Sequence, residues 1–185
     1  MKLLASFPAR TLMLLLLADP IRPEEGSEYE GDPSSLALAD IITCKLKDVP
    51  TWNGFAFWFH DNEEAKRHYG MTAIKSNNPF LSEYRLATPL TLLGRTTDRV
   101  AFNNSGLMAV FPEVAPQALA KELGITPVID APGKYLGERT VIEAPFDAGS
   151  SIFQGKSTIS LNVSTVTSHP GMVLAGCSYR IDIKD

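Results

Sequence analysis

The residues of this chain best suited to acid–base chemistry are its histidines and the carboxylates near them. His60 is followed directly by Asp61, and an imidazole beside a carboxylate can transfer protons near neutral pH. Glu138 is a third candidate, in a segment whose pattern predicts a strand. If the chain is an enzyme, these three residues are the first candidates for catalysis, because active sites assemble from distant parts of a sequence.

The same residue types do not have the spacing of a metal or nucleotide site. His60, His68 and His169 form no His-x-His pair, no His-Glu-x-x-His motif and no cluster with cysteine. Residues 149–157 have five residues between two glycines where a phosphate loop has four, and a strand pattern follows them where that loop opens a helix. The sequence therefore predicts no metal site and no cofactor.

Aromatic side chains are concentrated in one short segment. Trp52, Phe57 and Trp58 lie in or beside the run Gly-Phe-Ala-Phe-Trp-Phe-His at 54–60. Aromatic rings can line a small-molecule cavity, so these three residues are the candidates for ligand binding. Packing in the core explains the same cluster without any ligand.

The two cysteines are predicted to form one disulfide bond. Cys44 falls in the first predicted strand and Cys177 in the last, each on an apolar face. Terminal strands of a β-rich fold are often neighbours, and an exported protein can keep a Cys44–Cys177 bond. The alternative is a pair of buried free thiols. Neither cysteine begins a helix or adjoins a histidine, which disfavours a catalytic thiol.

Most of the elements that must position these residues are predicted to be strands. Residues 42–47 alternate between apolar and polar side chains, and residues 54–60 are apolar on both faces, which predicts a central strand covered on both sides. Residues 71–88 have no clean period and are predicted to be a long, partly structured connection. Further strands are predicted at 90–95, 99–102, 107–111 and 135–144, before a closing hairpin with its turn at 168–171.

Two short helices complete the prediction. Residues 61–70 begin with the capping pair Asp61 and Glu64 and end at Gly70, and residues 116–123 begin with a proline and stop before Gly124. No strand–helix–strand repetition is present. The sequence therefore predicts an α+β fold with a mostly antiparallel, curled sheet of seven or eight strands and two short helices.

The N-terminal residues are typical of an exported protein. Two bases, an apolar run at 12–17 and Ala18 predict a signal peptide at 1–18, with a buried or amphipathic helix as the alternative. Residues 19–35 are rich in Pro, Glu, Gly and Ser and are predicted to be a flexible leader. Residues 36–185 are then a single α+β domain, and the expected location is periplasmic or secreted.

The composition of the chain limits the kinds of partner that we expect it to bind. The 185 residues include 17 basic and 21 acidic side chains, for a formal net charge of −4. This balance disfavours nucleic-acid binding. No apolar run reaches the roughly 18 residues of a spanning helix, so no stable membrane insertion is expected. An acidic protein attracts basic partners, so a basic protein is the expected partner. The oligomeric state is not indicated.

Three functions are compatible with these features. The first is an exported, non-enzymatic protein that binds another macromolecule, in the manner of an inhibitor or immunity protein, and the lack of a catalytic motif favours it. The second is an enzyme without a recognisable linear motif. The third is a binder of a small apolar ligand inside the curled sheet, beside the aromatic segment.

Overall fold

A computed structural model describes residues 31–147 and 154–183 of the chain. The expected signal peptide at 1–18, residues 19–30 of the expected leader and residues 148–153 lie outside these ranges. The first described element is a 3₁₀ turn at Pro33–Ser35. Four α-helices follow along the chain: α1 Leu38–Ile42, α2 Val49–Phe59, α3 Glu63–His68 and α4 Pro116–Glu122.

Eight strands form one antiparallel sheet. They are β1 Met71–Ile74, β2 Ser82–Leu92, β3 Arg95–Asn103, β4 Gly106–Pro112, β5 Thr126–Ala131, β6 Lys134–Asp147, β7 Gln154–Ser164 and β8 Met172–Ile183. Their spatial order is β1-β2-β3-β4-β8-β7-β6-β5, and the sheet does not close. The predicted α+β fold with an antiparallel sheet is confirmed.

The strand predicted at 42–47 is wrong. Leu38, Ile41 and Ile42 instead share the buried side of α1, at helical spacing. The helix ends in a turn, where Cys44 has a φ of 61°. A left-handed residue cannot continue a strand, so the alternation from Ile42 to Leu46 does not reflect a sheet.

The strand predicted at 54–60 is also wrong, because these residues belong to helix α2. Asp48 caps the helix by accepting hydrogen bonds from Thr51 N at 2.8 Å and Thr51 Oγ1 at 2.5 Å, and Pro50 lies in the first turn. Phe55 and Phe59 are four residues apart and both are buried, as one face of a helix requires.

The partly structured connection predicted at 71–88 instead consists mostly of strands, because it contains β1 and most of β2. The turn between β2 and β3 lies at Leu93 and Gly94, which have φ values of 52° and 72°. The strands predicted at 90–95 and 99–102 place this turn at 96–98 instead. Strand β5 is not predicted by the pattern, and five of its six residues are exposed.

The other elements agree with their predictions. Helix α3 falls within 61–70, although Asn62 and not Asp61 caps it, through Asn62 Oδ1 at 3.0 Å from Glu64 N. Helix α4, the β3–β4 hairpin and the β7–β8 hairpin lie where the pattern places them.

The main core lies between the helices and one face of the sheet. Helix α1 packs on β4 and β8, and α2 packs on β7 and β8. The predicted Cys44–Cys177 disulfide is confirmed and joins the turn after α1 to β8. Tyr179 Oη reinforces this contact by donating a hydrogen bond to Ile41 O at 2.7 Å. The disulfide bond and this hydrogen bond therefore fix helix α1 and the turn after it to β8, at the centre of the sheet.

The second face of the sheet has a smaller apolar cluster of its own. Its buried members are Ala101, Met108, Val110 and Leu174, with Leu81, Val166 and Met172 packed against them. Leu81 and Val166 belong to the segments 75–81 and 165–171, which we call the Phe80 loop and the His169 loop. These two loops cover that part of the second face.

Candidate functional site

The largest groove described lies at one end of the sheet and has a volume of about 1000 Å³. It is bounded by α2, the Phe80 loop, the first residues of β2 and the turn between β3 and β4. The helical layer of the first face and the loop layer of the second face meet there. The groove is therefore built from segments that are distant in sequence.

Aromatic rings form the floor of the groove. Phe59 and Phe102 stack with their centroids 4.7 Å apart, and Trp52 stacks on Phe102 at 6.2 Å. Tyr84 meets the edges of Phe59 and Phe102 at 5.5 and 5.7 Å. Because Trp52 and Phe59 are buried in the main core, this floor is preformed.

One wall of the groove has an unusual exposed residue. Phe80 is 82% exposed, on a loop that follows the turn sequence Asn77-Asn78-Pro79. A single exposed apolar residue is ordinary on a protein surface. Phe80 differs because it lines the same groove as the aromatic floor, so a ligand in the groove can contact both.

The rim of the groove is polar and has both signs of charge. His60 Nδ1 lies 3.2 Å from Asp61 Oδ2, and both side chains are exposed. Lys66 lines the same groove and pairs with Glu63 at 2.6 Å. Asn103, Asn104 and Ser105 of the β3–β4 turn add amides and a hydroxyl. The rim can therefore make hydrogen bonds around an apolar side chain in the groove.

A buried polar network lies next to the groove, on the second face. Glu83 is at its centre, and its side chain is completely buried. Arg99 donates to Glu83 Oε2 from Nη2 and, at 2.8 Å, from Nε. His169 Nε2 donates to Glu83 Oε1 at 2.8 Å, since a carboxylate can only accept. The His169 loop and two strands thus meet at a single carboxylate.

Burial alone raises the pKa of Glu83, but this effect is outweighed. Hydrogen bonds from Ser76 and Arg99, with the charges of His169 and Arg99, hold the pKa of Glu83 below its usual value. Glu83 is therefore a stable carboxylate in the folded protein, and Arg99 and His169 are the charged or titratable groups that face it.

The network continues from His169 to a serine. His169 Nδ1 and Ser168 Oγ share a hydrogen bond of 2.9 Å, and Asn78 Nδ2 donates to Ser168 Oγ at 3.2 Å. Serine, histidine and glutamate are the residue types of an acyl-transfer triad. Ser168 does not line the groove or the second described cavity, which lies between α4 and the His169 loop. We therefore interpret the network as structural.

The structure brings two of the three catalytic candidates together. His60 and Asp61 are neighbours on the rim of the groove, whereas Glu138 is not among the groove residues. Glu138 lies on β6 and accepts a hydrogen bond from Arg180 Nη2 at 2.9 Å. Burial raises its pKa, but hydrogen bonds from Ser160 and Arg180 outweigh burial and leave the pKa lowered.

The three candidate ligand-binding residues have three different environments. Trp52 is on the floor of the groove. Trp58 is half-buried, with its ring against His68 and Tyr69 at 6.4 and 6.2 Å. Phe57 is 88% exposed and does not line the groove. The third function assumes a ligand cavity beside an aromatic strand. The aromatic segment is a helix, and its other rings fill the core, so there is no aromatic strand at 54–60 to line such a cavity.

Sequence reasoning does not identify Phe80, Phe102, Glu83 and His169 as neighbours of a site. The phenylalanine directly after the turn Asn77-Asn78-Pro79 is the one available signal. The pattern correctly indicates that the backbone of His169 lies in a turn. It does not indicate that the His169 side chain is buried against Glu83, which is 86 residues away in the sequence.

Within residues 31–147 and 154–183, no group of three or more His, Cys, Asp or Glu side chains is arranged to hold a metal ion. No helix in this part of the chain has both the length and the apolar character needed to cross a membrane.

The chain matches no protein-family model, no curated protein and no solved structure in the three comparisons made.

Proposed function

We propose that this chain is an exported, non-enzymatic binding protein, and that the groove receives an apolar side chain of a protein partner. The observation that carries the proposal is Phe80, 82% exposed beside the aromatic floor of Phe59, Tyr84 and Phe102. Binding energy at protein interfaces concentrates where an aromatic or apolar anchor enters a preformed pocket with a polar rim.

The groove has the features of such an anchor site. Its floor is fixed by packing in the core, so little ordering of the floor accompanies binding. Its rim of His60, Asp61 and Asn103 offers hydrogen bonds to the backbone on either side of the inserted side chain. A peptide segment with one large apolar residue fits both properties.

The net charge of −4 supports a basic partner. An acidic protein attracts basic partners over distances of about one Debye length, which affects the association rate more than the affinity. We therefore expect basic residues to flank the apolar residue of the partner segment. Salt should then lower the association rate more than it raises the dissociation rate.

The Cys44–Cys177 bond supports the exported location of the proposal. Stable disulfides form in the periplasm and in the extracellular medium, and they are rare in reducing compartments. A binding protein in these compartments meets its partner outside the cytoplasm. Inhibitor and immunity proteins are binding proteins of this kind.

Phage-displayed random heptapeptides provide a test for which the partner need not be identified. The library is panned on the whole chain, and selected peptides are synthesised and titrated by fluorescence anisotropy. We expect one large apolar residue and at least one Lys or Arg in the selected peptides. Phe80→Ala should weaken their binding by about 10-fold or more, because truncating an interface anchor costs this much or more.

Phe57→Ala is the matched control, since Phe57 is equally exposed but lies outside the groove. It should leave the affinity of the same peptides within about twofold of the wild type, as expected for a residue outside the interface. No enrichment of peptides, or equal binding to the wild type and to Phe80→Ala, would overturn the proposal. Equal losses in the two variants would overturn it too.

A further inference from the structure

We propose that a chain of hydrogen bonds from Glu83 through His169 and Ser168 to Asn78 holds the Phe80 loop in place, and with it the exposed wall of the groove. The inference rests on the proposed function only for its effect on binding. The effect of these hydrogen bonds on the Phe80 loop concerns the free protein and is tested without any partner.

The first part of this chain is a rigid anchor. The side chains of Glu83 and His169 are 0% and 2% exposed, and His169 Nε2 lies 2.8 Å from Glu83 Oε1. Arg99 fixes the other oxygen of the carboxylate. Because a buried carboxylate needs its partners, neither side chain can leave without exposing or orphaning a charge.

The second part passes from the anchor to the surface. His169 Nδ1 is bonded to Ser168 Oγ at 2.9 Å, so the ring connects a buried carboxylate to a half-buried hydroxyl. Asn78 Nδ2 then donates to Ser168 Oγ at 3.2 Å. This last bond joins the His169 loop to the Phe80 loop, across 90 positions of sequence.

The third part shapes the Phe80 loop around Asn78. Phe80 N donates to Asn78 Oδ1 at 3.0 Å, and Leu81 N donates to Asn78 O at 3.1 Å. Asn78 N also donates to Ser76 Oγ, at 3.1 Å. The side chain of Asn78 therefore uses its oxygen within its own loop and its nitrogen on Ser168, so Ser168 fixes the residue around which the loop turns.

Besides the Asn78–Ser168 bond, this loop is tied to the network at its start, where Ser76 hydrogen-bonds the Glu83 carboxylate. It lies between the end of β1 at Ile74 and the start of β2 at Ser82, outside the hydrogen-bonded ladder of the sheet. Leu81 anchors its end on the apolar cluster of the second face. Loss of the Asn78–Ser168 bond should therefore release the middle of the loop, within residues 76–80, while its ends at Ser76 and Leu81 and the sheet stay in place.

Hydrogen–deuterium exchange followed by mass spectrometry tests this inference on the free, full-length chain. We expect Ser168→Ala to increase the exchange rates of residues 76–80 by about 5- to 10-fold, since one hydrogen bond is lost. Exchange in α2 and β8 should not change. Thr167→Ala is the control, because it removes an exposed hydroxyl from the same loop.

Two more variants separate the specific bond from a general loss of structure. Asn78→Asp keeps the oxygen that accepts a hydrogen bond from Phe80 N but loses the amide that donates to Ser168, so its exchange should match that of Ser168→Ala. Because both changes remove the same bond, the double variant should exchange no faster than either single variant. Ser168→Thr retains the hydroxyl and should exchange at the wild-type rate.

The outcomes distinguish this inference from the proposed function. If exchange at 76–80 is the same in Ser168→Ala and the wild type, or rises equally across the chain, the inference is wrong even when the selected peptides bind to the groove. If exchange rises only at 76–80 while panning selects no peptides, the inference stands and the proposed function fails. If both hold, Ser168→Ala should also weaken peptide binding.

Discussion

His169 Nε2 lies 2.8 Å from Glu83 Oε1, although 86 residues separate the two in sequence. The contact joins the loop before β8 to the beginning of β2, two strands that are not neighbours in the sheet. It therefore crosses the second face of the sheet. The small cluster of apolar residues there is closed on one side by this hydrogen bond, with Arg99 as the second partner of Glu83.

Replacing Glu83 with glutamine should strongly destabilise the fold. Glutamine keeps the shape but removes the charge that Arg99 and His169 face, so the free energy of unfolding should fall by about 3 kcal/mol. Urea unfolding followed by tryptophan fluorescence measures the change. Glu122→Gln is the control, because the Glu122 carboxylate is exposed in its pair with Arg95 and its loss should change the unfolding free energy far less. Equal losses in the two variants would contradict the expectation.

The contribution of Glu83 should depend on pH in one direction. Its pKa is lowered in the folded state, so the stabilisation is present above the unfolded-state pKa of about 4.3 and is lost as pH falls through the lower, folded value. The difference in unfolding free energy between wild type and Glu83→Gln should be constant from pH 7 to 5 and shrink below about pH 4. A loss confined to pH 7–6 would assign the effect to histidine instead.

Removing the disulfide should lower stability without changing the fold. The bond closes a loop across 133 positions, so the double variant Cys44→Ala, Cys177→Ala should lose about 2–5 kcal/mol of unfolding free energy. Urea titrations with and without a phosphine reductant measure it. The reductant should destabilise the wild type and leave the double variant unchanged. An effect of the reductant on the double variant would show that another process is being measured.

The cap of α2 tests the helical assignment of the aromatic segment. Asp48→Ala removes the acceptor for Thr51 N, so we expect a loss of about 1 kcal/mol. Asn53→Ala, at an exposed position inside the helix, should be neutral or slightly stabilising. Thermal unfolding followed by circular dichroism compares the two. Destabilisation by Asn53→Ala with no effect of Asp48→Ala would favour a strand at 54–60.

The aromatic segment shows why periodicity alone misassigns part of the fold. Phe55, Phe57 and Phe59 alternate as in a strand, but Phe55 and Phe59 also stand one helical turn apart. The deciding signal lies before the segment, where Asp48 and Pro50 begin a helix. The predicted cysteine pair is correct although Cys44 is not in a strand, because a buried turn on the sheet brings it equally close to β8.

The site is less accessible to sequence reasoning than the fold. Glu83 lies between Ser82 and Tyr84 in a stretch with polar residues on both sides, and nothing local marks it as buried. Its burial depends on the His169 loop, which reaches it only because β8 is inserted next to β4. Phe80 likewise becomes part of a groove only when β2 places its loop beside Phe59 and Phe102.

The central position of β8 dictates when the sheet can be completed during synthesis. Among the described strands, β1 to β4 form one set of neighbours and β5 to β7 another, and only β8 pairs with both. Because β8 is also the last of these strands to be translated, β4 and β7 each present an unpaired edge until it emerges, and such edges promote aggregation. Formation of the Cys44–Cys177 bond would therefore indicate that β8 is in place and that the sheet is complete.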